Sequence, residues 1–274
     1  MTLDAILFDF DDTLSAEDES VATAFLAVGE LARQQSGVDP ERLINALRQR
    51  AGEMWRGSPF IGYCRSIGFS SWEGLGGLFD GSHSNAPGLV EWIPDYRHGA
   101  WVQALAAVGI QDEAFADELA AAFVEQGSGP HVPYPDAEQT LTELAGHCRM
   151  AIVTNGFPSV QRTKVEKCGL GHFFEAVVVS GDIEIGVGKP DPRPFLSALE
   201  ALGADPSRTA MIGNSLTNDV AGAQKLGLHA IWVNRTDENP GEARPDAEIS
   251  SLSELPGLLY ERGLLIRSTA RHRS

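Results

Sequence analysis

The sequence predicts a doubly wound α/β fold: a parallel sheet with helices on both faces and a mostly helical insertion after the first strand. Three observations carry the prediction. Short apolar segments alternate with helical segments through the second half of the chain. Polar breaks rich in Gly, Asn, Asp and Thr follow the strand segments. Between the first and second strands, residues 15–133 show helical spacing and no strong strand signal.

The first strand reads Ala5-Ile6-Leu7-Phe8, apolar at every position, as in strands covered on both faces. It runs into Asp9-Phe10-Asp11-Asp12-Thr13-Leu14. In extended backbone, residues i and i+2 point to the same side, so Asp9 and Asp11 fall together. Two carboxylates so placed require a metal ion, a shared proton or surroundings that separate their pKa values. A solvated acidic turn is the plainer alternative.

Within the insertion, Val21 to Gln35 is alanine-rich and amphipathic. Glu41 to Trp55 follows, opened by Pro40, and Asp112 can cap a helix running to Gln126. From Gly57 to Gly99 the chain is rich in glycine and aromatic residues. Gly127 to Pro135 is a turn-rich return linker.

The second half then reads in order. Cys148 to Val153 is a strand broken by Thr154-Asn155-Gly156, and Ser159 to Cys168 is a helix closed by Gly169. Ala176 to Val179 is a strand, and Pro192 to Leu202 a helix closed by Gly203. Ala210 to Ile212 is a strand followed by Gly213-Asn214-Ser215, with a helix from Asp219 to Leu226. His229 to Val233 is another strand, Ala247 to Ile249 a last edge strand, and Leu252 to Arg262 a helix. In open sheets of this kind, ligands bind beyond the carboxyl ends of the strands, where these polar breaks lie.

Composition narrows the function classes. A net charge of −17 over 274 residues disfavours nucleic acid and anionic membrane surfaces as partners. Three separated cysteines without a CxxC indicate neither a disulfide framework nor a zinc site. No apolar run approaches a membrane span. The strand pattern begins at Leu3, which leaves no room for a signal peptide, so a reducing cytoplasm is expected. Arg262, Arg267, Arg271 and Arg273 predict a flexible basic tail over 263–274.

Four polar stations thus stand in fixed order: Asp9 to Thr13, Thr154 to Gly156, Lys189 in Gly188-Lys189-Pro190-Asp191, and Gly213-Asn214-Ser215 with Asp219. This arrangement resembles the haloacid dehalogenase superfamily, and within it the Mg²⁺-dependent phosphatases with a helical cap. The resemblance covers roughly residues 3–14 and 134–250. It implies a Rossmann-like core of residues 1–14 and 134–262 and a cap of residues 15–133. Ser180 to Phe195 is similar to the nucleotidase and sugar-phosphate phosphatase branches.

The roles that follow are those the resemblance implies. Asp9 is the nucleophile that forms an aspartyl-phosphate, and Asp11 the general acid and base. Thr154, Asn155 and Lys189 hold the phosphate, while Thr13, Ser215 and Asn218 support the site. Mg²⁺ is held by Asp9, the Asp11 backbone carbonyl, Asn214 and Asp219. The substrate is a small phosphorylated metabolite, such as a sugar phosphate or a nucleotide, and the protein a monomer or homodimer. The departure from the pattern is Asn214, where the family commonly places an aspartate. An amide oxygen brings no formal charge, so weaker metal binding is expected. Two alternatives remain: a phosphomutase or phosphotransferase, and a catalytically weakened binding protein. Arg56, Tyr63, Arg65, Trp72, His83, Trp92, Arg97 and His98 are candidates to line the cap, and His131 and His147 read as structural.

Overall fold

The computed structural model describes residues 2–80, 85, 86, 88–129 and 131–266. Six strands form one parallel sheet: β1 (Ala5–Phe8), β2 (Arg149–Thr154), β3 (Ala176–Val179), β4 (Thr209–Gly213), β5 (His229–Val233) and β6 (Ala247–Ile249). Their spatial order is β3-β2-β1-β4-β5-β6. β1 sits centrally, with Phe8 beside Ile152 on one side and Ile212 on the other. The switch in strand order falls at β1, so β1, β2 and β4 open onto one crevice.

The apolar strand runs reflect burial on both faces. Ile6, Phe8, Ile152 and Ile212 pack with α7 (Ala137–Leu144), α8 (Pro158–Cys168) and α11 (Leu255–Glu261). Ala5, Leu7, Val153 and Met211 pack with α9 (Pro192–Leu202) and α10 (Ala221–Leu226). Each large aliphatic side chain buried this way contributes roughly 1.5–3 kcal/mol. Past α11 the chain stays on the core: the Leu3 amide donates to the Leu264 carbonyl, and Leu265 is buried. Residues 267–274 of the basic tail, with Arg267, Arg271 and Arg273, lie outside the described residues.

Between β1 and α7 come six helices: α1 (Glu17–Ser36), α2 (Pro40–Arg56), α3 (Ile61–Ile67), α4 (Ser71–Gly76), α5 (Leu89–Ala107) and α6 (Glu113–Gly127). They share an apolar cluster of their own that includes Trp55, Tyr96 and Trp101, which Val160 of α8 and Phe157, just before α8, join. The Asp39 and Asp112 side chains cap α2 and α6 through the Arg42 and Phe115 amides. The glycine- and aromatic-rich middle is helical too, as α3, α4 and the start of α5. The aromatic residues that gave it no clear period there fill the insertion's core.

Two features differ from the sequence expectation. The helix expected from Asp219 begins earlier, as a π turn over Leu216–Val220 before α10. The Ser215 hydroxyl accepts from the Asn218 amide, and the Asp219 carboxylate accepts from the Ser215 amide, which opens the first turn. In addition, α7 follows the return linker without a clear sequence signal.

Among the described residues, the insertion meets the core at three places that bear on the cleft, beside the packing of Phe157 and Val160 and the hydrogen bonds Asn85–Ile183 and Ser159–Leu78. Its two chain crossings run side by side, with the Ala16 amide donating to the Val132 carbonyl and the Tyr134 amide to the Leu14 carbonyl. The end of α3 seats on the loops after β2 and β3, where the Gly188 amide donates to the Ser66 carbonyl and Ser180 Oγ to the Ile67 carbonyl. The third contact is ionic and lies inside the active-site cleft.

Candidate active site

A cleft of about 670 Å³ opens beyond the carboxyl ends of β1, β2 and β4, under α1 and α4. Asp9 stands at its floor, because its amide continues the ladder by donating to the Ile212 carbonyl. Both oxygens of Asp9 are engaged. Lys189 Nζ donates to Oδ1 at 2.6 Å, and Thr13 Oγ1 donates to Oδ2 at 3.0 Å. Thr13 Oγ1 also accepts from the Asn214 amide at 3.0 Å, so one hydroxyl ties the first station to the fourth.

Lys189 is fully buried. Its Nζ also donates to the Val153 carbonyl at 2.7 Å and lies 2.6 Å from Asp219 Oδ1. The Asp219 contact is an ion pair outside hydrogen-bond alignment, and Oδ1 has no aligned donor among the described residues. Burial alone would lower the Lys189 pKa; Asp219 and Asp9 outweigh it and raise it, which keeps the ammonium charged. Burial and the nearby Asp9 charge lift Asp219 to about 6, against the pull of Lys189. Asn155 sets the lysine's backbone, because its Oδ1 accepts from the Lys189 amide at 2.8 Å and its Nδ2 donates to the Lys189 carbonyl at 3.2 Å.

The turn at Gly213 is equally constrained. A Cβ there would fall 2.3 Å from Asp219 Oδ2, so only glycine lets the Asp219 carboxylate fold back over β4. Asp12 has a positive φ of 56°, a conformation that aspartate tolerates better than most residues. Its carboxylate accepts from the Asp18 amide and so starts α1.

Asp11 turns away from Asp9 into a separate network. Lys164 Nζ donates to Asp11 Oδ1 and Oδ2 at 3.2 and 3.1 Å. The same ammonium contacts Glu17 Oε1 at 2.8 Å and Glu73 Oε1 at 3.2 Å. Gln161 Nε2 donates to Asp11 Oδ2 at 3.1 Å and Glu73 Oε1 at 2.7 Å, while Gln161 Oε1 accepts from Thr154 Oγ1 at 3.1 Å. One lysine among three carboxylates cannot neutralise them all, so the set titrates together. Burial raises Asp11, Lys164 opposes it, and Glu17, Glu73 and Asp9 push it further, to about 8. Glu17 goes the other way: burial works against its charge, but Lys164 and His131 hold it down to about 2. Burial and the neighbouring carboxylates thus favour the protonated form of Asp11 within the set.

Oxygen donors suited to a hard divalent cation line the same floor: Asp9, Asn214 and Asp219, with the Asp11 carbonyl one peptide beyond Phe10. Among the described residues, no three His, Cys, Asp or Glu side chains converge as a metal site. Asn214 supplies an amide oxygen rather than a carboxylate at this floor. Its backbone is fixed on both sides, with the amide on Thr13 and the carbonyl accepting from Trp232 Nε1 at 2.8 Å. The donor chemistry fits Mg²⁺, with less charge than three carboxylates would bring.

Asp9, Thr13, Asn214, Asp219 and Lys189 thus form one connected cluster. Thr154 and Asn155 border it, and Ser215 and Asn218 line the same cleft. Of the insertion residues proposed from sequence, Trp72 lines the cleft. Trp92 stacks on Tyr96, Arg97 donates to the Gly74 and Gly77 carbonyls, and His98 pairs with Asp117. Tyr63 reaches the Gly181 carbonyl, while Arg56 and Arg65 are exposed. His83 lies outside the described residues. His131 is buried 3.3 Å from Glu17 Oε2, and His147 lies 3.4 Å from the Tyr260 hydroxyl.

Sequence reasoning missed Glu17, Glu73, Gln161 and Lys164. Gln161 and Lys164 carried one usable sign: their i, i+3 spacing puts them on one helix face, with Val160, Val165 and Cys168 as apolar neighbours.

A family model for haloacid dehalogenase-like hydrolases matches residues 3–227. The chain belongs to that family. It is 37% identical over 253 residues to a phosphoserine phosphatase from Thermus thermophilus, covering 91% of this chain and 96% of the relative. It is 33% identical over 177 residues to the pyrimidine 5'-nucleotidase YjjG of Escherichia coli, covering 61% and 77% respectively. Among solved structures, the HAD phosphatase from Thermococcus onnurineus superposes with a TM-score of 0.55 at 25% identity, covering 94% of this chain and 98% of that one. A 2-haloacid dehalogenase from Pseudomonas syringae pv. Tomato DC3000 gives 0.61 at 25% identity, covering 95% and 100%.

Proposed function

We propose that this hydrolase is a Mg²⁺-dependent phosphatase of small phosphorylated metabolites that works through an aspartyl-phosphate on Asp9. The observation that carries the reading is the division of labour between the two aspartates. Asp9 is held ready by Lys189 and Thr13, while Asp11, two residues away, sits in a separate network with Lys164 and Gln161 where burial and nearby carboxylates raise its pKa to about 8.

The chain's residues account for each demand of the reaction. Lys189 offsets the charge of the incoming phosphate and fixes Asp9 for in-line attack. Thr154 and the Asn155 backbone border the position of the transferred group. Asp11 gives its proton to the departing oxygen as the ester bond breaks. It then takes a proton from the water that cleaves the aspartyl-phosphate, regenerating Asp9. Bound Mg²⁺ supplies the positive charge that lets a carboxylate approach a phosphate dianion. A departing halide needs no proton, so the caged Asp11 favours phosphoester over carbon–halogen chemistry.

The length and identity of the match to the phosphoserine phosphatase make O-phosphoserine the first substrate to test. We propose a cytoplasmic protein, in keeping with its three free cysteines, that acts as a monomer or homodimer. The purified protein with Mg²⁺ is expected to release phosphate from an aryl phosphate and from O-phosphoserine, and Asp9→Asn to abolish both. Turnover persisting in a clean Asp9→Asn preparation overturns the assignment.

A further inference from the structure

The ionic contact between insertion and core is built around residues that the proposed mechanism leaves without a role. Lys164 is among the most buried charges of the chain, and it joins three separate pieces. Asp11 comes from the loop after β1, Glu17 from the first crossing and Glu73 from α4 of the insertion. Gln161, one turn earlier on α8, repeats the link by donating to both Asp11 and Glu73, and its carbonyl oxygen receives the Thr154 hydroxyl.

Glu73 is itself held rigidly. Its Oε2 accepts from the Ser70 amide at 2.9 Å and from Ser70 Oγ at 3.0 Å, closing a capping box that starts α4. Its Oε1 is thereby presented to the core, where Lys164 and Gln161 meet it. His131 reaches the same node from the second crossing, through Glu17. Removing Glu73 would take one acceptor from both Lys164 and Gln161, leaving Lys164 on Asp11 and Glu17 and Gln161 on Asp11 and Thr154, and would loosen their hold on both carboxylate oxygens of Asp11.

We propose that Glu73 is a positioning residue for the phosphoryl-transfer site: through Lys164 and Gln161, the seated α4 holds Asp11 in its working place. Glu73 touches neither Asp9 nor the oxygen donors of the metal site. It lines the same cleft and acts on Asp11 at one remove, through Lys164 and Gln161. The inference rests on the assignment of Asp11 as the acid and base.

The test compares Glu73→Gln and Glu73→Ala with the parent protein on p-nitrophenyl phosphate and on O-phosphoserine. Glutamine also serves in a capping box, so Glu73→Gln keeps α4 capped while removing the charge that faces Lys164. The expected result is a fall in kcat of about tenfold or more for Glu73→Ala on both substrates, a fraction of what a general acid contributes. KM should stay within about threefold, and Glu73→Gln should be intermediate. In an Asp11→Asn background, Glu73→Ala should change the residual rate no further. A rise in KM with kcat kept, or an equal fractional loss in the Asp11→Asn background, overturns the inference.

A second measurement does not depend on turnover. In the metal-free protein, Glu73→Gln and Lys164→Met should each accelerate amide exchange over both 71–76 and 158–168, leaving α5 unchanged. Unchanged exchange in both segments overturns the coupling. Parent protein that releases no phosphate from either substrate speaks against the proposed function, and the exchange experiment still decides the coupling.

Discussion

Arg235 donates a guanidinium hydrogen bond to the Thr13 carbonyl at 3.0 Å, so the segment just past β5 braces the loop that carries Asp9 and Thr13. The same guanidinium pairs with both oxygens of Asp136, each at 3.0 Å, and lies 3.7 Å over the Tyr134 ring. Arg235→Ala removes a half-buried ion pair, a cation–π contact and the Thr13 brace together. The expected cost is about 2–4 kcal/mol in urea unfolding, less than the full penalty of breaking a buried pair. Because Thr13 Oγ1 holds Asp9, kcat should fall while KM changes little.

Asp136 gives the same brace a pH dependence. Burial tends to lift its carboxyl; the Arg235 hydrogen bonds and charge, the Ser251 hydroxyl and the Leu252 amide outweigh it and hold the carboxyl below its ordinary value of 3.8. A group whose native pKa is depressed contributes stability above its unfolded pKa and loses it as pH falls through the native value. Asp136→Asn should therefore lower stability by about 1–3 kcal/mol at pH 6. The gap should close as pH drops below about 4. Melting temperatures of the two proteins from pH 6 to pH 3 check this; a gap that widens on acidification runs against it.

Lys189 lies between Asp9 and Asp219 with both of its acidic partners almost fully buried. Lys189→Ala leaves two carboxylates facing each other without a counter-charge. Such losses cost about 3–5 kcal/mol in buried pairs. The metal-free variant should unfold at markedly lower urea concentration than the parent protein. Added Mg²⁺ should recover more stability in the variant than in the parent, because a cation at Asp9 and Asp219 replaces part of the missing charge. Equal Mg²⁺ effects in both proteins would show that the lysine and the metal do not share these carboxylates.

The sequence made the sheet plain because its strands are apolar on both faces and each is closed by a polar break. β1, β3, β5 and β6 occupy the segments read from sequence, since nothing longer-range competes with so short an apolar run. Asp9 stood out because it continues β1, and Asp11, Lys189 and Asp219 because they lie in the polar stretches that follow strands; extended geometry put Asp11 beside Asp9, whereas it turns to Lys164. The node around Lys164 did not stand out. Its members lie on four separate stretches of chain, and on α8 a lysine and a glutamine read as a solvated face unless the opposing α4 is known. The insertion's aromatic residues were ambiguous for the same reason: Trp92 and Trp72 are alike in sequence, yet one stacks on Tyr96 and the other lines the cleft.

Asn214 is the residue at which charge and geometry part company. Its backbone is anchored by Thr13 and by Trp232, so the side chain is presented to the cleft whatever occupies the position. Asn214→Asp is nearly isosteric and adds one negative charge beside Asp9 and Asp219. With no cation bound, that charge repels two carboxylates that have only Lys189 between them, so the metal-free variant should be less stable than the parent. With Mg²⁺ present, the same charge attracts the ion. A gain of roughly 1.4 kcal/mol, modest for one added charge at close range, is about tenfold in affinity. Titrating Mg²⁺ against melting temperature at pH 7.5 separates the two effects: the variant should start lower and rise further, crossing the parent protein at millimolar metal. A variant that is stabilised without metal, or whose midpoint does not move, would mean that the position-214 side chain does not face the ion.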